Sequence, residues 1–226
     1  MNKKELQKRI LSSFVLLPVV FFFIIQGSIY FVLLLSVILL VISYEWINMN
    51  NKNLFKILGL LYFSLTVYLT YKFSQIFYFQ FILVLIICIL TDLGGYVFGK
   101  TLKGPKLIKI SPNKTYSGLI GSLIFSILGA FIYVAYTSFG KSSYLEIQYL
   151  LSKNDIQNSS LHFVIIILNV SILSQIGDLI ISYFKRKSKV KDTGNLIPGH
   201  GGLLDRIDGI IFAMPITFIF FNILNQ

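Results

Sequence analysis

The sequence predicts an all-α protein, a polytopic bundle of about seven transmembrane helices with its N-terminus in the cytoplasm. Three observations lead there. Of 226 residues, 55% are hydrophobic and only 13% charged, whereas about a quarter of a soluble domain is charged. Runs such as "ILSSFVLLPVVFFFII" and "IYFVLLLSVILLVISY" approach the roughly 20 apolar residues that a bilayer crossing needs. The lysines and arginines gather on alternate connections between such runs, as cytoplasmic loops do.

The first run gives a span over 10–25, and no small-residue cleavage site follows it, so it reads as a span and not as a signal peptide. "QGS" at 26–28 separates it from a second span, 29–47, which ends at "NMNNKN". Further spans follow at 55–71, 76–99, 117–138, 161–184 and 203–224. With the N-terminus inside, seventeen of the twenty basic residues are cytoplasmic, and only Lys72, Lys141 and Lys153 are outside. That asymmetry accounts for the net charge of +11 through topology and anionic lipid, so nucleic acid is not expected as a partner. Cys88 stands alone in an apolar run, which excludes a disulfide framework and a thiolate metal site. No internal repeat supports an inverted-repeat transporter.

Nine acids are present, and five of them, Glu45, Asp92, Asp178, Asp205 and Asp208, lie in or at the ends of apolar spans. Each costs about 2.5–3.5 kcal/mol at mid-bilayer on insertion scales, so each needs a partner or a shallow position. In the topology above all five fall near the cytoplasmic end of their span. Asp205 and Asp208 share a helix face at i, i+3, and Ser174, Asp178 and Ser182 form a stripe spaced by four. Oxygen donors without a useful Cys or His set suit a hard cation such as Mg²⁺. Lysines and glycines beside them, in the cytoplasmic loops 100–116 and 185–202, suit phosphate. Together these are the parts of phosphoryl or nucleotidyl transfer. "SPNKT" (111–115) by itself reads as a turn in which Ser111 or Asn113 caps the next helix.

The stretch "SYFKRKSKVKDTGNLIPGHGGLLDRID" (182–208) resembles the signature of the phosphatidate cytidylyltransferases, also called CDP-diacylglycerol synthases. Its Ser, Lys-Arg, Lys-Asp, Pro-x-His-Gly-Gly and Asp-Arg-x-Asp elements all stand at the family's spacing. "DLGGYVFGK" (92–100), "KISPNKTYSG" (109–118) and "QIGDLIIS" (175–182) resemble the family too. Two positions depart from it: Ser117 follows Tyr116 where an acid is frequent, and Gly95 stands where Ala is common.

The resemblance implies an enzyme, a nucleotidyltransferase of the cell membrane in phospholipid biosynthesis. It would transfer the cytidylyl group of CTP to phosphatidate, giving CDP-diacylglycerol and pyrophosphate in a Mg²⁺-dependent in-line reaction at the cytoplasmic face. Residues 1–90 would then be N-terminal membrane helices and 91–226 the catalytic region. It implies Asp178, Asp205 and Asp208 as metal ligands, with a second metal or a monovalent cation left open. Lys185, Arg186, Lys191, Asp192, His200 and Arg206 fall among the catalytic residues, His200 orienting a carboxylate or phosphate. Ser111, Pro112, Asn113, Lys114, Thr115, Gly199, Gly201 and Gly202 fall among the substrate-binding ones. CTP, phosphatidate and membrane lipid are the expected partners, and a homodimer is an open alternative. A CDP-alcohol phosphotransferase is the nearest rival, but its second acidic motif is missing, since no acid follows "DRIDG". An ion transporter would spread its charges across membrane depth, and here they gather at one side.

Overall fold

In a computed structural model, residues 14, 16, 18–50, 52–108, 111–138, 159–196 and 201–224 are described. The helices are α1 (18–26), α2 (Ser28–Met49), α3 (Asn53–Ile76), α4 (Tyr78–Thr101), α5 (Tyr116–Ser138), α6 (Ser159–Lys187) and α7 (Leu204–Leu224). Two short strands, β1 (Lys106–Ile108) and β2 (Ser111–Thr115), lie between α4 and α5. Among the described residues six helices, α2 to α7, are long and apolar enough to cross a membrane. Of the expected first span, 10–25, residues 10–13, 15 and 17 lie outside the described residues, and α1 covers the rest from 18 onward. The chain is therefore a multi-pass membrane protein.

Two expectations about the loops are corrected. The segment 100–116 is not a plain loop: α4 continues to Thr101, and β1 and β2 pair antiparallel, with Lys106 opposite Thr115 and Ile108 opposite Ser111. Ser111–Thr115 is thus a strand and not a turn. Pro112 disfavours helical dihedrals at Ser111 and pushes it to extended backbone, and the strand ladder then supplies the amide partners. The cap of α5 is neither Ser111 nor Asn113 but Thr115, whose Oγ1 accepts the Gly118 N–H at 3.1 Å, because the residue immediately before the helix fills that role.

The second correction concerns 185–202, since α6 runs on to Lys187 and holds Lys185 and Arg186 in its last turn. Lys189, at φ 60°, ends it: its N–H reaches the Arg186 carbonyl at 3.1 Å, and the Val190 N–H reaches the Lys185 carbonyl at 3.0 Å. That is the Schellman arrangement with lysine at a position that usually takes glycine. Three basic side chains in the last turn also complement the negative end of the helix dipole.

Backbone contacts divide the chain into two compact units. One comprises the chain up to Lys72 together with Ile180–Asp208. Trp46 anchors its interior, edge-on to Phe63 and Phe184 with ring centroids 5.4 and 4.9 Å away. The indole N–H of Trp46 donates to the Phe55 carbonyl at 2.8 Å, and Gly59 leaves room for the ring.

The other unit comprises Phe73–Leu179 and Gly209–Gln226. Phe73, Phe77, Phe218 and Phe221 form an aromatic cluster with centroids 5.6–6.3 Å apart. Glycines let α4 and α5 touch backbone to backbone, as small residues do between membrane helices. A Cβ on Gly94 would stand 2.4 Å from the Gly121 carbonyl oxygen, and one on Gly121 would stand 2.4 Å from the Phe98 Cβ. Gly121→Ala is therefore expected to destabilise the protein by about 1–3 kcal/mol, read as a lower unfolding midpoint by circular dichroism in detergent.

Candidate active site

Among the described residues, the charged residues singled out in the sequence form an ion-paired cluster in each unit. In the first unit the cluster is built where α6 ends, the segment 188–196 leaves it, and α7 begins. Lys185, in the last turn of α6, places Nζ 2.6 Å from Asp205 Oδ1, with side chains 11% and 7% exposed. Asp205 Oδ2 accepts the Thr193 N–H at 2.8 Å, the Gly202 N–H at 3.2 Å and the Thr193 hydroxyl at 3.0 Å. Ion pairs this buried are sustained only when the remaining lone pairs also find donors, and here they do.

Behind Asp205 lies Glu45 of α2, 1% exposed. Its Oε1 accepts the Leu203 N–H at 2.8 Å, and its Oε2 accepts the Leu204 N–H at 2.9 Å and the Thr193 hydroxyl at 2.9 Å. The first amides of a helix lack partners within the helix, and "GGLL" offers no local Ser, Thr, Asp or Asn to cap them. A carboxylate from α2 does so instead, at the end of α7 where the helix dipole favours negative charge. Gly194 and Gly202 pack against it: a Cβ on Gly202 would stand 2.6 Å from Glu45 Oε2 and 2.1 Å from Thr193 Oγ1.

The second unit holds the other cluster. Lys114 of β2 places Nζ 2.6 Å from Asp178 Oδ2 and donates to the Gln175 carbonyl at 3.3 Å. These side chains are 23% and 29% exposed, a wetter pair than Lys185 and Asp205. Thr115 sits beside Lys114 and spends its hydroxyl on Gly118 and Ser117, and Ser117 in turn donates to the Lys103 carbonyl.

Of the remaining residues singled out in the sequence, Ser111 is half-buried, Asp208 is 5% exposed, and Arg186, Lys191, Asp192 and Arg206 are exposed. Gly201 adopts φ 83°, a left-handed conformation that favours glycine. Gly202, placed among the substrate-binding residues by the resemblance, gives its N–H to Asp205. Gly199 and His200 lie outside the described residues, as do the side chains of Pro112 and Asn113. Thr193 was not anticipated. The signal for it was indirect: an uncapped helix start requires acceptors from elsewhere, and a hydroxyl in the preceding loop is one means of holding them.

The donor chemistry can be tested against Mg²⁺. Among the described residues no group of three His, Cys, Asp or Glu side chains is placed to hold a metal ion. Mg²⁺ seldom requires such a cage, because one or two carboxylates plus substrate phosphates and waters suffice. Asp178 and Asp205 each hold an ammonium 2.6 Å from one carboxylate oxygen, so each presents an anionic oxygen of the type that hard cations take. The residues fit a hard cation delivered together with phosphate.

Comparisons with known proteins bear on the family of the chain. A model of the cytidylyltransferase family matches residues 51–224. The chain is 36% identical over 221 residues to the phosphatidate cytidylyltransferase of Rickettsia bellii, covering 96% of this chain and 91% of that one. It is 34% identical to the phosphatidate cytidylyltransferase of Rickettsia felis, over 96% and 92% of the two chains. The phosphatidate cytidylyltransferase of Bacillus subtilis is 39% identical over 129 residues, 57% of this chain and 42% of its own. The signature, the membrane helices and these similarities converge, and the chain belongs to the cytidylyltransferase family as a membrane-embedded nucleotidyltransferase.

Proposed function

We propose that the protein transfers the cytidylyl group of CTP to phosphatidate, releasing pyrophosphate and leaving CDP-diacylglycerol in the membrane. The observation that carries this reading is the pairing of Lys114 with Asp178 and of Lys185 with Asp205, each at 2.6 Å. Each pair joins a group that binds phosphate to a group that binds a cation. A metal–triphosphate can exchange with such a pair, the ammonium turning to phosphate and the carboxylate to the metal.

In the reaction, a phosphate oxygen of phosphatidate attacks the α-phosphorus of CTP in line. The new P–O bond forms as the bond to the β-phosphate breaks, and pyrophosphate carries the electron pair away. Phosphate monoesters ionise with a second pKa near 6, so the nucleophile is largely deprotonated at neutral pH and no side chain has to take its proton. The chain's task is positioning and charge neutralisation. Lys185, Arg186 and Lys191 neutralise phosphate oxygens, as does Lys114 from β2. The resemblance assigns Asp178, Asp205 and Asp208 as carboxylates for Mg²⁺, which would screen the triphosphate and make the pyrophosphate a better leaving group. The charge asymmetry of the loops supports a site on the cytoplasmic side of the cell membrane, where CTP arrives from solution and the acyl chains of the lipid never leave the bilayer.

The test is turnover by the purified protein in detergent with phosphatidate and labelled CTP. The expected result is stoichiometric pyrophosphate and labelled CDP-diacylglycerol, both lost when EDTA removes Mg²⁺. Absence of lipid-linked label with Mg²⁺ present would refute the assignment.

A further inference from the structure

We infer that Glu45 is a positioning residue for the transfer reaction, acting through Thr193 and the first turn of α7 to fix Asp205 and Lys185. This rests on the function proposed above for its catalytic consequence, but not for its structural one. Glu45 lies outside the residues that the family model matches, in a helix whose remaining residues are almost wholly apolar.

The geometry leaves little freedom. A carboxylate 1% exposed in an apolar helix is tolerated only if its charge is met by donors, and Glu45 has three. Two of them, the Leu203 and Leu204 amides, belong to the two residues that precede Asp205 in the chain. The third, the Thr193 hydroxyl, lies 2.9 Å from Glu45 Oε2 and 3.0 Å from Asp205 Oδ2. One hydroxyl proton thus bridges the two carboxylates. The Thr193 amide also donates to Asp205 at 2.8 Å. Both Thr193 and the start of α7 are therefore clasped by the same two acids. Asp205 Oδ1 is left to face Lys185.

Substitution by Gln breaks the clasp wherever its amide nitrogen falls. At the Oε1 position the NH₂ opposes the Leu203 N–H, and at the Oε2 position it opposes the Leu204 N–H. Either orientation sets donor against donor, so the first turn of α7 must shift and carry Asp205 with it. A partner that orients a ligating carboxylate in this way typically contributes 10–100-fold to activity or metal affinity, so a loss of about that size is expected.

The experiment compares wild type with Glu45→Gln and Thr193→Val in two measurements. In the first, ligand-free protein is acylated with a limiting amine reagent, and modification of Lys185 and Lys114 is quantified by mass spectrometry. Glu45→Gln should raise the Lys185 rate several-fold while Lys114, in the other unit, reacts as in wild type. Unchanged Lys185 reactivity would overturn the inference whatever the substrate. In the second, kcat per folded molecule should fall about 10–100-fold in Glu45→Gln, with KM for CTP within twofold of wild type. A kcat within twofold of wild type would overturn the catalytic part. Thr193→Val keeps the amide caps and removes only the bridge; it should shift both readouts in the same direction by less, and it decides the matter if Glu45→Gln fails to fold, when wild-type values for both would refute the inference. Wild-type protein that turns over no CTP, combined with exposed Lys185 in Glu45→Gln, would refute the proposed function while leaving the positioning role intact.

Discussion

Asp205→Asn is expected to abolish measurable turnover and also to destabilise the protein by roughly 3–5 kcal/mol, the usual consequence of removing one member of a buried ion pair. The carboxylate meets four donors, Lys185 on one oxygen and three loop groups on the other. An Asn side chain has only one acceptor oxygen, so its NH₂ must confront either the Lys185 ammonium or the loop donors. Lys185→Met is milder for stability, because Asp205 retains its three other partners. The double variant Lys185→Met/Asp205→Asn should regain stability relative to Asp205→Asn, since it leaves no buried ammonium without a counter-charge, yet it should remain inactive. Unfolding midpoints by intrinsic fluorescence and pyrophosphate release, measured on all four proteins, close the cycle. Normal turnover in Asp205→Asn would remove this residue from the reaction.

Lys114→Met should separate activity from stability. Its partner distance equals that of Lys185, but the Lys114–Asp178 side chains are 23% and 29% exposed, and pairs accessible to water contribute only about 0–1 kcal/mol. The unfolding midpoint should hardly move. Turnover should nevertheless fall by on the order of 10²–10³, the loss seen when one group that stabilises transition-state charge is removed. Lys114→Arg keeps the charge and should recover part of the rate. A midpoint that falls steeply in Lys114→Met would mean that the pair supports the fold, and unchanged kcat/KM would mean that it does not meet phosphate.

Much of the architecture was legible because it depends on composition. α2 to α7 follow from apolar runs of bilayer length. The hairpin at 106–115 was not legible, since five polar and turn-forming residues carry no alternation and Pro112 reads equally as a turn. The extension of α6 to Lys187 was hidden because its end is set by a left-handed lysine, where sequence leads one to look for glycine. Asp178 and Asp205 were visible as residue types in recognisable stretches. Their division between two ion pairs was not.

Glu45 marks the boundary between the two kinds of information. Its sequence context shows an acid that an apolar helix must compensate, and the absence of a cap before "LLDRID" shows amides that need an acceptor. Each deficiency is local and can be read from the chain alone. That each resolves the other, across 148 to 159 residues, is decided only by the tertiary structure. Periodicity and propensity act over a few residues, whereas the partner of a buried charge is chosen by which helix ends the fold brings within hydrogen-bond distance.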